Sequence, residues 1–185
     1  YSGSTADLVS AFAGTVTTHT GTVTITDTPS VANLTTINTA TSGAITISGT
    51  GALSDTAANL AAAFAGTISG YSGAVTITEG PTLAQLKTIN AATSGAITLD
   101  DTNDAYSGSA ADLVSAFAGT VTTHTGIVTI TDAPSVAQLK AINAATSGAI
   151  TLGVTNGALS GSAADLVLAV SGTVTTHTGT VTVTD

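Results

Sequence analysis

Three histidines share one place in successive copies of a repeat, and they are the first residues in this sequence that could bind a metal. They are His19, His124 and His177, and the second copy has Tyr71 at that place. Histidine is the commonest metal ligand, but ligands must converge at about 2 Å from one ion. Two coils per repeat, each about 4.8 Å deep, would separate neighbouring copies by about 10 Å. We therefore predict an aromatic filler or surface position and no metal site.

An acidic loop is the second candidate. Asp100, Asp101 and Asp104 lie beside Asn103, and hard oxygen ligands this close in sequence could hold Ca²⁺. The equivalent loops, ISGTGAL and LGVTNGAL, carry no carboxylate, and the spacing is not that of an EF-hand. We interpret the loop as a solvated acidic segment, and the sequence leaves open whether these three aspartates hold calcium.

The sequence contains no pattern typical of nucleophilic catalysis. Serine, histidine and aspartate are all present, but there is no G-x-S-x-G elbow and no cysteine that could supply a thiolate. Enzymes usually place their chemistry on irregular loops held by a scaffold, whereas here even the loops repeat. We predict that the chain is not an enzyme and has no catalytic, cofactor-binding or metal-binding residues.

Threonine alternates with valine or isoleucine in four segments, and this alternation is the sharpest functional feature. A strand would place the aliphatic side chains on one face and the threonines on the other. Rows of T-x-T on a flat face are the geometry associated with ice-binding proteins, although exposed strands favour threonine without any ligand. The other strand of each repeat supplies single threonines, which interrupts the lattice. The predicted surface-binding face consists of Thr22, Thr24, Thr26, Thr76, Thr78, Thr129, Thr131, Thr180, Thr182 and Thr184.

These residues recur because the chain repeats one stretch of about 53 residues. Tyr1, Leu53, Tyr106 and Leu159 occupy the same place in successive copies. A fixed period of this size indicates stacked supersecondary units that bury their apolar faces against each other. We expect one continuous solenoid that is part of a longer array. Its copies are residues 1–52, 53–105, 106–158 and, as a partial copy, 159–185.

The first half of each copy predicts a strand, a helix and a second strand. VTITD is the first strand, and the helix that follows carries an apolar stripe such as Val136, Leu139 and Ile142. We predict Pro134 in the first turn of this helix, with the preceding acid near the helix's positive end. A Ser-Gly pair should end the helix, with its glycine at positive φ. AITL is then the second strand.

The second half predicts another helix, in SGSAADLVSAFAG, with Ser109, Ser162 and, in the second copy, Asp55 as N-caps. This helix carries apolar residues at i and i+4, namely Leu113 with Phe117, or Leu166 with Val170. The link TVTTHTG fits an extra helical turn, a bent strand or one arm of a hairpin.

One asparagine recurs just after the first helix, at Asn38, Asn90 and Asn143. It either binds the backbone of a neighbouring coil or caps the C-terminus of its own helix.

Short links between alternating strands and helices favour right-handed crossovers and parallel strands. The predicted fold class is therefore an α/β repeat solenoid. It would have parallel strands on one wall, short helices on the other and two coils per repeat of about 53 residues.

Composition excludes several partners. The net charge is −9, the only basic residues besides histidine are Lys87 and Lys140, and 7% of residues are charged. Nucleic-acid binding requires a basic surface, and membrane insertion through a helix requires a long apolar run, so we predict neither. Low charge also weakens repulsion between chains, which favours self-association, either end to end or lateral.

The runs Ser54–Ala62 and Pro134–Leu152 resemble the low-complexity Thr/Ala/Gly-rich repeats of giant cell-surface and secreted proteins of bacteria, cyanobacteria among them. The resemblance covers essentially the whole chain. It implies an extracellular or cell-surface location, a structural or adhesive role and no catalytic residues. We therefore expect a structural segment (a spacer, filament or coat) that assembles by repeat stacking. The alternative is an adhesin or ice-binding surface that uses the Thr-x-Thr face on a glycan or on ice.

Overall fold

The computed structural model describes residues 1–14, 17–68 and 70–185. These residues form seven helices and eleven short strands and divide into two compact units, Tyr1–Asp100 and Asp101–Asp185. All strand pairs within the two units are parallel. The chain is thus a mixed α/β protein with parallel strands, which confirms that part of the predicted fold class.

The first unit contains six strands and four helices. In chain order they are β1 (Ser2–Gly3), α1 (Thr5–Phe12), β2 (Val23–Ile25), α2 (Val31–Ala40), β3 (Ile45–Ile47), β4 (Leu53–Asp55), α3 (Ala57–Ala63), β5 (Val75–Ile77), α4 (Leu83–Ala92) and β6 (Ile97–Leu99). The sheets are β1-β2-β3 and β4-β5-β6. The helices contact each other in sequence order, from α1 to α4.

The second unit repeats this plan. Its elements are β7 (Tyr106–Gly108), α5 (Ala110–Ala116), β8 (Val128–Ile130), α6 (Val136–Ala145), β9 (Ile150–Leu152), β10 (Leu159–Gly161), α7 (Ala163–Val170) and β11 (Val181–Val183). The sheets are β7-β8-β9 and β10-β11. Helix α6 contacts both α5 and α7.

Strands and helices advance along the chain at different intervals. Paired residues lie 22 positions apart, as in Thr24 with Thr46 or Thr129 with Thr151. The residues that cap the helix N-termini are instead 26 or 27 positions apart within each unit. Each strand pairing is thus four or five residues shorter than the helix interval, and within the units a new ladder begins at β4 and again at β10.

The strands that begin each ladder (β1, β4, β7 and β10) are missed by the sequence prediction, which has a loop there. Their sequences, such as Leu-Ser-Asp and Tyr-Ser-Gly, lack the β-branched residues that indicate a strand. They form because they pair with the VTI or VTV strand that follows, and because Leu53, Tyr106 and Leu159 are buried.

The helices start on local capping bonds. The residue before each helix is a serine or threonine whose side-chain oxygen accepts the backbone N–H three residues later. Such a cap stabilises a helix by about 1 kcal/mol. In the second copy Thr56 fills this role, so the predicted Asp55 cap is wrong. Pro134 is also outside the first turn, because Ser135 is the cap and the helix begins at Val136.

The apolar stripes face inward as predicted. Val31, Leu34 and Ile37 are buried in α2, and Val136, Leu139 and Ile142 are buried in α6. In the last helix, Leu166 is buried. Val170, four residues later in the same helix, is 46% exposed.

The link TVTTHTG is an extended segment where the structure describes it, which agrees with the bent-strand alternative. Single parallel bridges join His19 to Thr41 and His124 to Thr146. Val174, in the fourth copy of the link, forms a bridge with Ile150. Thr15 and Val16, in the first copy, lie outside the described residues.

Candidate functional site

The threonines of the predicted surface-binding face lie on the outward side of the strands. Val23 and Ile25 are buried, Thr24 between them is half-buried, and Thr22 and Thr26 are exposed. The other members follow the same pattern: Thr76 and Thr129 are half-buried, whereas Thr78, Thr131, Thr180, Thr182 and Thr184 are exposed. The alternation therefore sorts the side chains as predicted in β2, β5 and β8, whereas in β11 the valines are exposed as well.

Each VTI or VTV strand contains one threonine, and this threonine lies directly opposite a serine or threonine of the strand it pairs with. Thr24 pairs with Ser2 on one side and Thr46 on the other. The columns Ser54–Thr76–Thr98 and Ser107–Thr129–Thr151 are equivalent. The paired strands are two or three residues long, so each described sheet carries one hydroxyl column instead of a T-x-T lattice several columns wide.

In three of the four copies, the ring at the histidine position forms a hydrogen bond with a backbone carbonyl. Nε2 of His124 lies 2.6 Å from the carbonyl oxygen of Asp104, and Nε2 of His177 lies 2.5 Å from that of Gly157. In the second copy the Tyr71 hydroxyl donates to the carbonyl oxygen of Gly51. Each partner precedes its ring by 20 residues. The ring therefore ties one segment of the chain to the segment before it.

His124 is fully buried in an aromatic cluster. Its ring centre lies 4.7 Å from that of Tyr106 and 5.7 Å from that of Phe117, and Nδ1 is 3.3 Å from the Thr146 hydroxyl. Burial lowers the pKa of this imidazole, against the opposing effect of the Asp104 carbonyl. Tyr1, Phe12 and His19 form the corresponding cluster in the first copy.

Two buried polar atoms in these clusters have no hydrogen-bond partner among the described residues. They are Nε2 of His19 and the hydroxyl oxygen of Tyr106. Burial and the charges of Asp104 and Asp101 raise the pKa of Tyr106 far above its usual range, so its hydroxyl stays protonated.

The acidic loop does not assemble a cation site within the described residues. Nowhere in the described ranges do three or more histidine, cysteine or acidic side chains come together as a metal site would require. The Asp101 carboxylate accepts the backbone N–H of Asn103, and Asp104 uses its carbonyl oxygen to bind His124. These bonds shape the turn before β7.

Asp27 and Asp132, which follow VTI strands, stabilise the preceding helix, not the following one as predicted. The Asp27 carboxylate accepts the Thr5 backbone N–H at 2.8 Å and the Thr5 hydroxyl at 2.5 Å. The Asp132 carboxylate accepts the N–H of Ala110 in the same way, at 2.7 Å. Each of these donors is the first residue of a helix, where the backbone N–H has no partner within the helix. A carboxylate there also interacts favourably with the helix dipole.

Acid should destabilise the chain in two pH ranges. The pKa of His124 is lowered from 6.5 by burial, so the unfolded state binds more protons and stability falls as the pH drops below about 6.5. The Thr5 hydrogen bonds lower the pKa of Asp27, and Lys140 lowers that of Asp165. Their stabilisation, present above the unfolded pKa, is lost as the pH falls below about 4. We expect urea midpoints at about pH 7.5, 5 and 3 to decrease in that order. A midpoint unchanged between the first two would contradict the role of His124.

The recurring asparagine binds the helix of the next segment, which combines the two predicted alternatives. Nδ2 of Asn143 donates to the carbonyl oxygens of Leu168 (2.8 Å) and Ser171 (2.9 Å), at the end of α7. Nδ2 of Asn38 donates to the Ala62 carbonyl oxygen at 3.3 Å and also to that of Ala65. The amide thus caps a helix C-terminus, but that of the following helix.

Replacing Asn143 by alanine should lower the free energy of unfolding by about 1 kcal/mol, because two carbonyl groups lose a donor. Asn156→Ala is the matched control, since Asn156 is exposed and its side chain has no hydrogen bond among the described residues. Urea unfolding of both variants measures the difference. Equal losses would show that the two amide bonds contribute nothing.

Glycines mark a column where the backbone of one segment lies against the next. A Cβ on Gly148 would lie 2.6 Å from the carbonyl oxygen of Thr125 and closer still to that of Gly126. Gly43 and Gly95 meet the carbonyl groups of Gly21 and Gly73 in the same way. None of the three is at positive φ, so the prediction that they end a helix by adopting left-handed φ is wrong. Their hydrogen side chain is required by the close approach of two backbones.

The grooves between helices are lined by small and aliphatic residues. The groove between α6 and α7, of about 520 Å³, is bordered by Val136, Ala141 and Gly161 and by the Lys140–Asp165 ion pair, whose N···O distance is 2.6 Å. It contains no histidine. Two grooves elsewhere, one beside α2 and one between α3 and α4, also lack one. The arrangement offers packing and backbone hydrogen bonding.

Comparison with protein-family models, curated proteins and solved structures gives no match for this chain. Among the residues that the structure describes, no helix is long and apolar enough to cross a membrane.

Proposed function

We propose that the chain is a non-enzymatic structural repeat segment of an extracellular or cell-surface protein, where it acts as a spacer, filament or coat. One observation carries this proposal. Side chains at the repeated histidine, aspartate and asparagine positions, such as His124, Asp132 and Asn143, bind the backbone of a segment 20 to 28 residues away. Polar side chains that form hydrogen bonds between segments of their own chain support a structural role for that chain.

We further propose that the copies form one solenoid, with parallel strands on one wall, short helices on the other and two coils per repeat. The near-constant spacing of the helix caps supports two coils in 53 residues, and the parallel ladders support consecutive stacking. In such an array each internal coil contacts a neighbour on both faces, so stability increases with the number of repeats.

An added repeat tests this proposal. A second copy of residues 106–158, inserted after Ala158, keeps every partner in register because Leu159 occupies the place of Tyr106. We expect a higher urea midpoint and a steeper transition than for the original chain, because stacked repeats unfold cooperatively. Independently folded modules on flexible links would instead unfold at an unchanged midpoint, which would refute the solenoid.

The location is tested on the cells that make the protein. Gold-labelled antibodies against the chain should decorate intact cells or the filaments around them. Signal seen only after the cells are opened would contradict an extracellular coat or spacer.

The hydroxyl columns favour a second candidate, a surface-binding role for the Thr-x-Thr face on ice or a glycan. Thr24, Thr76 and Thr129 each pair directly with another threonine, so hydroxyl groups line up across a sheet. Thermal hysteresis of the purified chain, abolished by Thr129→Tyr, would support ice binding. Absence of thermal hysteresis would exclude ice binding and leave the structural role and glycan binding. Binding of the chain to a glycan array would then support glycan binding, and absence of binding would leave the structural role.

A further inference from the structure

We propose that Asn156 is a site of spontaneous covalent modification, at which the side-chain amide becomes a carboxylic acid while the chain is folded. The backbone nitrogen of Gly157 attacks Cγ of Asn156, the Cγ–Nδ2 bond breaks, and ammonia leaves with the proton that the Gly157 nitrogen loses. Water then opens the resulting cyclic imide. Attack of water at Cγ yields aspartate, and attack at the backbone carbonyl carbon yields isoaspartate.

Sequence and local structure distinguish Asn156 from the other asparagines. It is the only asparagine that is followed by glycine, whose backbone nitrogen is the least hindered because no Cβ stands beside it. It is also exposed, in the loop between β9 and β10. Five other asparagines lie in helices, where the hydrogen bonds of the helix hold the N–H of the next residue. These are Asn33, Asn38, Asn59, Asn90 and Asn143.

The nitrogen that attacks has lost the hydrogen bond that the first copy provides. There the N–H of Gly51 donates to the Thr28 hydroxyl at 2.9 Å. Gly157 stands at the place of Gly51, but Ala133 stands at the place of Thr28 and has no hydroxyl. The two places still meet, since a Cβ on Gly157 would lie 2.9 Å from Cβ of Ala133. Among the described residues, neither the Gly157 N–H nor the Asn156 side chain has a hydrogen-bond partner.

The loop of the preceding copy contains an internal control. Asn103 occupies the place of Asn156, but Asp104 follows it instead of glycine. The side chain of Asp104 crowds the nitrogen that would attack, and the Asp101 carboxylate fixes the turn by accepting the Asn103 backbone N–H at 3.0 Å. We therefore expect Asn103 to convert much more slowly than Asn156.

The modified loop is one that joins two segments of the chain. The carbonyl oxygen of Gly157 lies 2.5 Å from Nε2 of His177, and that of Thr155 accepts the Thr178 N–H at 2.8 Å. Isoaspartate routes the main chain through Cβ and Cγ, which inserts a methylene between these two carbonyl groups. Their spacing then no longer matches residues 177 and 178. The isoaspartate product should loosen this connection and add a negative charge, whereas the aspartate product adds only the charge.

The test incubates the folded full chain in mildly alkaline buffer and analyses it by mass spectrometry. Lys87 and Lys140 are the only trypsin sites, so peptides 88–140 and 141–185 report Asn103 and Asn156 separately. We expect the mass gain of an amide-to-acid exchange in the second peptide, located at Asn156 by fragmentation. Chromatography should separate an isoaspartate form from an aspartate form. Asn156→Gln, whose longer side chain would have to close a larger ring, should abolish the conversion.

Two substitutions at one place test the role of the open N–H. Ala133→Thr restores the hydroxyl that Thr28 supplies in the first copy. It should slow the conversion about fivefold, the factor that one ordinary hydrogen bond contributes. Ala133→Val has the same shape without the hydroxyl and should convert like the original chain. Equal rates in the two variants would overturn the proposed role of the open N–H.

Two other results would overturn the proposal as a whole. One is an unchanged Asn156 in the folded chain under conditions in which the urea-unfolded chain converts. The other is conversion of Asn103 at the same rate as Asn156. Hydrogen exchange tests the consequence: residues 177–179 should exchange faster in the purified isoaspartate form than in the original chain. Equal exchange would refute the loosening.

Discussion

Replacing Gly148 by alanine should lower the free energy of unfolding by about 4 kcal/mol or more, which is at the upper end of what one substitution does to a protein. The new methyl group would overlap the carbonyl groups of Thr125 and Gly126. Backbone atoms cannot rotate away as a side chain can, so the segments must separate. Separation would strain the neighbouring bonds of His124, which joins the same segments.

Gly161→Ala is the control for this prediction. A Cβ at Gly161 would lie 3.4 Å from the nearest atom, Cγ1 of Val136, which is ordinary packing. We expect a change within about 1 kcal/mol, since alanine also restricts the unfolded chain. Urea unfolding and circular dichroism of both variants provide the comparison. Similar losses of unfolding free energy for Gly148→Ala and Gly161→Ala would show that the close backbone approach at Gly148 has no special role.

One substitution in the aromatic cluster around His124 should lower the free energy of unfolding, and a second substitution should restore most of it. His124→Tyr places a larger ring against Tyr106, whose centre lies 4.7 Å from the present imidazole. Overpacking of this kind should cost about 2 kcal/mol. The double variant Tyr106→Leu/His124→Tyr reproduces the pair Leu53 and Tyr71 of the second copy, and we expect it to regain most of the loss.

A double-mutant cycle measures this compensation. Tyr106→Leu alone should lose about 2 to 3 kcal/mol through a cavity beside Phe117, and the coupling between the two sites should be favourable by about 1 kcal/mol or more. The stability of the double variant should also no longer fall below about pH 6.5, because it has no imidazole at this position. Additive losses, with no coupling, would contradict the packing explanation.

Local patterns in the sequence are sufficient to predict the elements that carry them. The alternation in VTITD predicts β2 and β8, and the stripe Val136, Leu139, Ile142 predicts α6 and its buried face. Both patterns act within one element, where the period of the side chains determines which of them face the core.

The partners between segments are not predictable in the same way. The sequence shows a period of 53, but nothing in it states that strands pair 22 residues apart while helix caps lie 26 or 27 apart. Without that register, the sequence pattern assigns Asp27 to the wrong helix and Gly148 to a helix end. Covariation between copies does not reveal the contacts either: Tyr106 and His124 touch, and the equivalent pairs are Leu53 with Tyr71 but also Leu159 with His177.

The short range of the bonds between segments has a consequence for how such a chain is made. The strand pairs and the side-chain bonds between segments described above join residues 20 to 28 positions apart. Parallel sheets usually fold slowly because their partners are distant in sequence, and this chain avoids that delay. In a nascent chain, a segment can therefore form its bonds as soon as the next 20 to 28 residues have been added. The chain can fold progressively from its N-terminal side as it emerges from a ribosome, without waiting for the remainder.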